Sequence, residues 1–206
     1  MQTENEKIEK IIECANEIRK ICLSMENPLL VFHHDADGIC SAAIVYKALR
    51  NYKKKIRLLM CESLYEVLPF INKEKELILL DIGSIKEVNE LKDVVIIDHH
   101  QPENIQKPIL NPWLNGYNAS YFCSSSALTF ITFRAFNYLS LVGSIGDMQM
   151  PFQGLNKLLE KMLIEKNIYR KEIIFNKSKV PLKIALERST MKVFQHNKYA
   201  VNYFLD

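Results

Sequence analysis

No run of apolar residues reaches the roughly 18 that a membrane-spanning helix needs. The N-terminal stretch MQTENEKIEKIIE is polar and acidic where a signal peptide would be basic and then greasy. A cytoplasmic location with no membrane partner is the expectation. Cysteine offers little chemistry: Cys14, Cys22, Cys40, Cys61 and Cys123 are odd in number, scattered, and include no CxxC pair, so they read as reduced and mostly structural. Glycine is scarce at six in 206 residues, yet Gly38, Gly83, Gly143 and Gly146 all lie within four residues of an aspartate. Histidine is scarcer still, and four of its five residues form two adjacent pairs, His33-His34 and His99-His100, each closing an apolar run. With 48% hydrophobic and 25% charged residues, the chain is an ordinary globular protein of one domain or a domain with an appendage, neither disordered nor fibrous.

The net charge of +3 conceals an asymmetry: residues 1–150 carry 16 Lys/Arg against 19 Asp/Glu, and residues 151–206 carry 11 against 5. A basic terminal third suits a polyanion-binding face, although solvated lysine on helices is the commoner reason for such a count.

Ile8, Ile11, Ile12, Ala15, Ile18 and Cys22 recur at spacings of three and four, which predicts an amphipathic helix over 5–24. Leu29–Phe32, Leu77–Leu80 and Val94–Ile97 are short apolar runs of the kind found in buried strands, and Ile56–Cys61 is a plausible further strand. Between them come a polar turn at His33–Gly38 followed by a helical pattern from Ser41, a short helix at Leu64–Ile71 and another at Ile85–Leu91. The alternation predicts an α/β fold, a parallel sheet with helices on both faces. Residues 101–123 read as an extended loop and Ser124–Leu141 as a long apolar stretch, helical by pattern, in which Phe, Thr and Tyr leave a strand open. After Pro151 a helical, basic C-terminal extension follows to about Lys166 and then becomes irregular. The expected division is an α/β domain over 1–150 and the basic extension over 151–206.

Asp35 and Asp37 follow the first strand, Asp81 follows Leu77–Leu80, and Asp98-His99-His100 follows Val94–Ile97. In a parallel sheet such positions meet at one edge, where ligands bind. A lone aspartate after a strand is most often a helix cap, and Ser124–Ser126 taken alone are a helix start; the joint occurrence points to chemistry instead. Several carboxylates converge on a small site only if cations neutralise them. Carboxylate oxygen suits hard divalent ions, and imidazole beside it shifts the choice toward Mn²⁺. Two such ions can clamp the attacking and leaving oxygens of a phosphoryl displacement, so hydrolysis of a phosphoester or phosphoanhydride is implied.

HHDADG at 33–38, LLDIGS at 79–84, IIDHH at 96–100 and GSIGD at 143–147 together resemble, in order, the four motifs of the DHH phosphoesterases. NPWLNGYNAS and SSSAL look most like the archaeal RecJ-like single-strand exonucleases. The resemblance implies two Mn²⁺ ions, with Mg²⁺ or Co²⁺ as substitutes. It puts His33, Asp35 and Asp81 on one ion and Asp37, Asp81, His99 and Asp147 on the other, Asp81 bridging. It sets His100 facing the scissile phosphate and Asp98 orienting His99, and gives Ser124, Ser125 and Ser126 a claim to a phosphate contact.

Members of that family resemble one another in carrying a second, glycine-rich, basic domain that grips substrate across a cleft. Only 59 residues follow Asp147, with the single glycine Gly154. Either the chain is a fragment, or that domain comes from a second polypeptide or an identical subunit, or the protein works without it; the implied partners are single-stranded DNA or RNA and, in the second case, that polypeptide or subunit. Two other classes stay open: a replication scaffold subunit related to RecJ, with replication proteins such as GINS as partners, and a small-phosphate or oligoribonucleotide phosphoesterase. Near the terminus, Phe194, Tyr199, Tyr203 and Phe204 are candidates for the partner contact, and packing on their own domain is the plainer alternative.

Overall fold

The computed structural model describes residues 4–166, all of which fall in one compact unit. The chain starts with the expected amphipathic helix, α1 (Glu4–Ser24), whose Ile11, Ala15, Ile18 and Cys22 are buried. Strand β1 (Leu29–His33), helix α2 (Ala36–Arg50), strand β2 (Arg57–Cys61), helix α3 (Leu64–Ile71) and strand β3 (Leu77–Leu80) follow. A 3₁₀ turn at Lys86–Glu90 leads to β4 (Val94–Ile97) and to a short fifth strand, β5 (Ile109–Leu110). All pairings are parallel, in the order β2-β1-β3-β4-β5.

Period-two alternation in the strands divides the core. Leu30, Ile78, Leu80, Val95 and Ile97 face α1 and α2, while Val31, Leu77, Leu79, Val94 and Ile96 face α3 and the 3₁₀ turn. Both faces are therefore covered over β1, β3 and β4, while the edge strand β2 leaves Leu58 and Met60 exposed. The chain leaves β1 for a helix on one face and leaves β3 for a turn on the other, which opens a crevice between those strand ends.

Four local expectations need correction. First, α2 begins at Ala36, inside the predicted turn, because the Asp35 carboxylate caps it by accepting from the Asp37 and Gly38 amides at 3.0 and 2.9 Å. Second, the predicted helix at Ile85–Leu91 is only the 3₁₀ turn. Third, residues 101–123 are not a plain loop: besides β5 they hold a 3₁₀ turn at Pro112–Asn115 and helix α4 (Ala119–Phe122). Fourth, Ser124–Leu141 is not one element but α5 (Ser125–Phe133) and the start of α6 (Leu139–Gly146). Every residue of α5 is buried, so its apolar pattern reflects burial on all sides rather than length. Arg134, at φ 59°, closes α5 in the left-handed region, and the chain doubles back.

The basic extension opens as α7 (Gly154–Glu165), with Leu155, Leu159 and Leu163 buried against the core. Its expected irregular course and the contact residues Phe194, Tyr199, Tyr203 and Phe204 lie outside the described residues. Among the described residues no helix is long and apolar enough to cross a membrane.

Candidate metal centre

At the carboxyl end of β1, His33 Nδ1 stands 2.8 Å from Asp35 Oδ2 and 3.7 Å from Asp81 Oδ2. Asp35 thus divides its oxygens, Oδ1 capping α2 and Oδ2 toward the crevice. Asp37, in the first turn of α2, is fully buried and accepts from the Ser125 and Ser126 amides at 2.7 and 3.0 Å. These are first-turn N–H groups of α5, so a helix terminus holds the carboxylate from the far side. Gly38 lies so close to the His33 carbonyl that a Cβ would overlap it, and a Cβ on Gly143 would overlap Ser126 Oγ and Asp37 Oδ1. Two of the motif glycines are therefore points of close backbone approach.

Asp81, at φ 59° after β3, presents Oδ2 toward His33 and Oδ1 toward His99 Nε2 (3.4 Å), and Oδ1 also accepts from the Ser125 hydroxyl at 2.9 Å. His99 Nε2 is also 3.4 Å from Asp147 Oδ2. Asp147 arrives from the C-terminus of α6. Three sets of side chains are close enough to share an ion: His33, Asp35 and Asp81; Asp37, His99 and Asp147; and Asp81, His99 and His100.

The charges answer one another. Burial and the Asp81 charge push Asp37 up to about 7. Burial raises Asp81 too, but His33 and His99 outweigh it and hold the group below the usual carboxylate range. His33 is pushed up to about 9 by Asp81, against burial and with help from Asp35. Burial lowers His99, yet Asp81, Asp37 and Asp147 drive it up to about 10. Protons on imidazole thus balance carboxylates packed too closely to ionise independently. His33 Nδ1 and His99 Nε2 are buried beside these oxygens without making a hydrogen bond, an arrangement that fits divalent cations taking nitrogen and oxygen together.

Asp98 departs from its expected role. Its Oδ1 accepts from the His100 amide at 3.1 Å and lies 2.8 Å from His100 Nδ1, so it orients His100 rather than His99. The same contact raises the His100 imidazole and, against burial, lowers Asp98. His100 keeps about half its side chain exposed, in a cleft of about 240 Å³ that also takes in His33, Ser63, Tyr65, Asp81 and Ile85. His99 instead rests against Gln149, whose Nε2 is 3.2 Å from its Nδ1 and 2.6 Å from Asp147 Oδ2.

Ser124, Ser125 and Ser126 are fully buried and have no surface to offer a phosphate. Their hydroxyls serve the α5 cap, Asp81 and the Ser140 carbonyl. Two residues of the following loop carry roles that composition did not reveal. Asn111 Nδ2 donates to the His100 carbonyl at 2.8 Å, and Trp113 Nε1 donates to the His99 carbonyl at 3.0 Å. They fix the backbone of the histidine pair from behind. The NP…W spacing was the one signal for them.

The family model described as the DHH family, N-terminal domain, matches residues 28–150. The chain belongs to the DHH family. An uncharacterized protein of Methanocaldococcus jannaschii is 33% identical over 180 residues, covering 72% of this chain and 41% of that one. Among solved structures, RecJ from Thermus thermophilus in complex with Mn²⁺ superposes with a TM-score of 0.58 at 20% identity, over 73% of this chain and 26% of that one. Exonuclease RecJ bound to manganese gives 0.56 at 20%, over 72% and 46%. The DHH domain of a member of the s1p family of ribosomal proteins gives 0.54 at 14%, over 82% and 50%. This DHH chain thus shares its fold with proteins that hold manganese, and spans half or less of the length of each of these relatives.

Proposed function

We propose that this DHH domain is a manganese-dependent phosphodiester hydrolase that works on the end of a single-stranded nucleic acid, as the metal-binding half of a RecJ-like exonuclease. One observation carries the reading: Asp81 offers one oxygen to the His33–Asp35 side and the other to the His99–Asp147 side. A carboxylate so placed suits two cations side by side. His33, Asp35 and Asp81 would hold one, and Asp37, Asp81, His99 and Asp147 the other. Such a pair, when bound, activates water and offsets charge on the phosphoryl oxygens.

The chain's own groups do the rest. Asp98 secures His100 through Nδ1, which leaves the opposite edge of the ring to meet a phosphate oxygen in the cleft and stabilise its charge. Asn111 and Trp113 keep the histidine pair in register, and α5 holds Asp37 from below. Gripping and selecting the strand would need basic groups beyond the His33 and His100 of this cleft, whether from further along the protein, from a second polypeptide or from a second copy. The test is hydrolysis of single-stranded DNA, RNA and pyrophosphate by the chain with Mn²⁺, with and without co-purifying protein. Release of mononucleotides from single strands is expected. Cleavage of pyrophosphate or oligoribonucleotides alone would replace it with a small-substrate phosphoesterase, and tight Mn²⁺ binding without any hydrolysis would replace it with a scaffold.

A further inference from the structure

Behind Asp147 two buried carboxamides form a relay. Gln149 Nε2 donates to Asp147 Oδ2 at 2.6 Å and to the Cys123 carbonyl at 3.3 Å, and the same nitrogen packs 3.2 Å from the His99 ring. Gln149 Oε1 accepts from Asn156 Nδ2 at 2.7 Å. Asn156 Oδ1 accepts from the Ser144 hydroxyl at 3.1 Å and from the Ser124 amide at 3.4 Å.

A backbone N–H can only donate, so the Ser124 amide decides which way the relay faces. It fixes Oδ1 of Asn156, which turns Nδ2 to Gln149, which in turn presents N–H groups to Asp147. Asn156 is fully buried and Gln149 is 5% exposed, so water offers neither an alternative partner. The support is rigid as well. Helix α7, which carries Asn156, lies past residue 150 where the family match ends. It is pinned by Leu155, Leu159 and Leu163, and by Gly154, which sits against the Phe122 ring with no room for a Cβ.

We infer that Gln149 and Asn156 are positioning residues for Asp147, through which the first helix of the basic extension sets the affinity of one side of the metal centre. The inference rests on the two-ion reading above. Neither residue would be a ligand to the ion. Both act by holding Asp147 and the edge of His99 at the separation an ion requires, the kind of support whose loss typically weakens metal affinity by about 10- to 100-fold. The His33–Asp35–Asp81 side has no contact with the relay and should keep its affinity.

Calorimetric titration of the full chain with Mn²⁺ alone tests this. Wild type should take two ions. Gln149→Met, which keeps the side-chain volume, should retain one ion at wild-type affinity and weaken the other by about 10- to 100-fold, while the Asn156 Nδ2 and Cys123 carbonyl it strands lower the metal-free melting temperature without unfolding the chain. Asn156→Ala should weaken the same ion, and the double variant should bind no more weakly than Gln149→Met, since Asn156 acts through Gln149. Should Asn156→Ala fail to fold, Gln149→Met carries the test alone. Two unchanged affinities in Gln149→Met, or equal weakening of both, would overturn this inference and leave the metal reading intact. A wild type that binds no Mn²⁺ would refute the metal reading and this inference with it.

Discussion

At the scale of single residues, the centre assigns different work to neighbours in sequence. Asp81 faces both sides of the crevice, and so Asp81→Ala should abolish binding of both ions; calorimetry finding undiminished Mn²⁺ uptake would refute its shared role. His99 and His100 are adjacent yet separately held, His99 against Gln149 and His100 by Asp98. His100→Ala should keep its metals and lose turnover by about 10² to 10³, the usual consequence of removing one donor aimed at developing charge. Asp98→Asn should act in the same direction by a smaller factor, because the ring remains and only its orientation and charge are loosened. Metal affinity and kcat measured on both variants check this. Equal loss of both quantities in His100→Ala would make His100 a ligand, a role its place beside Asp81 and His99 permits.

At the scale of elements, packing of one helix end into another does the positioning. The first turn of α5 meets Asp37, and α6 passes over both at Gly143, where a Cβ would overlap Ser126 Oγ and Asp37 Oδ1. Gly143→Ala should therefore cost about 1–3 kcal/mol, the range for overpacking a closed interior, and should also weaken Mn²⁺ binding on the Asp37 side. Urea unfolding and metal titration of the variant provide the check; an unchanged unfolding midpoint would mean α6 can shift without strain. The long apolar stretch Ser124–Leu141 divides between two helices for the same reason. An all-round apolar pattern says that a segment is buried, and two short helices folded on each other satisfy it as well as one long helix.

At the scale of the whole molecule, the cleft beside His100 is open and lined partly by acids, with Glu62, Asp81 and Asp98 around it. A polyanion approaching it is held weakly unless cations and further basic groups come from elsewhere, and poor orientation can cost several orders of magnitude in rate. The prediction is that nuclease activity rises strongly when a partner or second copy closes the cleft. Sedimentation and exonuclease rates of the chain alone and with co-purifying protein decide it: a monomer that degrades single strands equally fast alone would sink the idea.

Much of the centre was legible in the amino-acid order. A strand buried on both faces reads as an uninterrupted apolar run, and an acid or imidazole where the run stops must sit at the sheet's edge. His33, Asp35, Asp81, Asp98, His99 and His100 were placed by that logic alone, as was the parallel sheet itself. The supporting contacts were not legible. Asn111, Trp113, Gln149 and Asn156 follow no period, and serine next to serine looks the same whether it faces a phosphate or a buried carboxylate. Asp98 pairs with His100 rather than His99, and Asp147 comes from a helix end, which no apolar strand run marks. Apolar periodicity is a local property that backbone geometry imposes on each element. The partner of a buried polar group depends on the directions of side chains brought together from segments tens of residues apart, which only the packed tertiary structure determines.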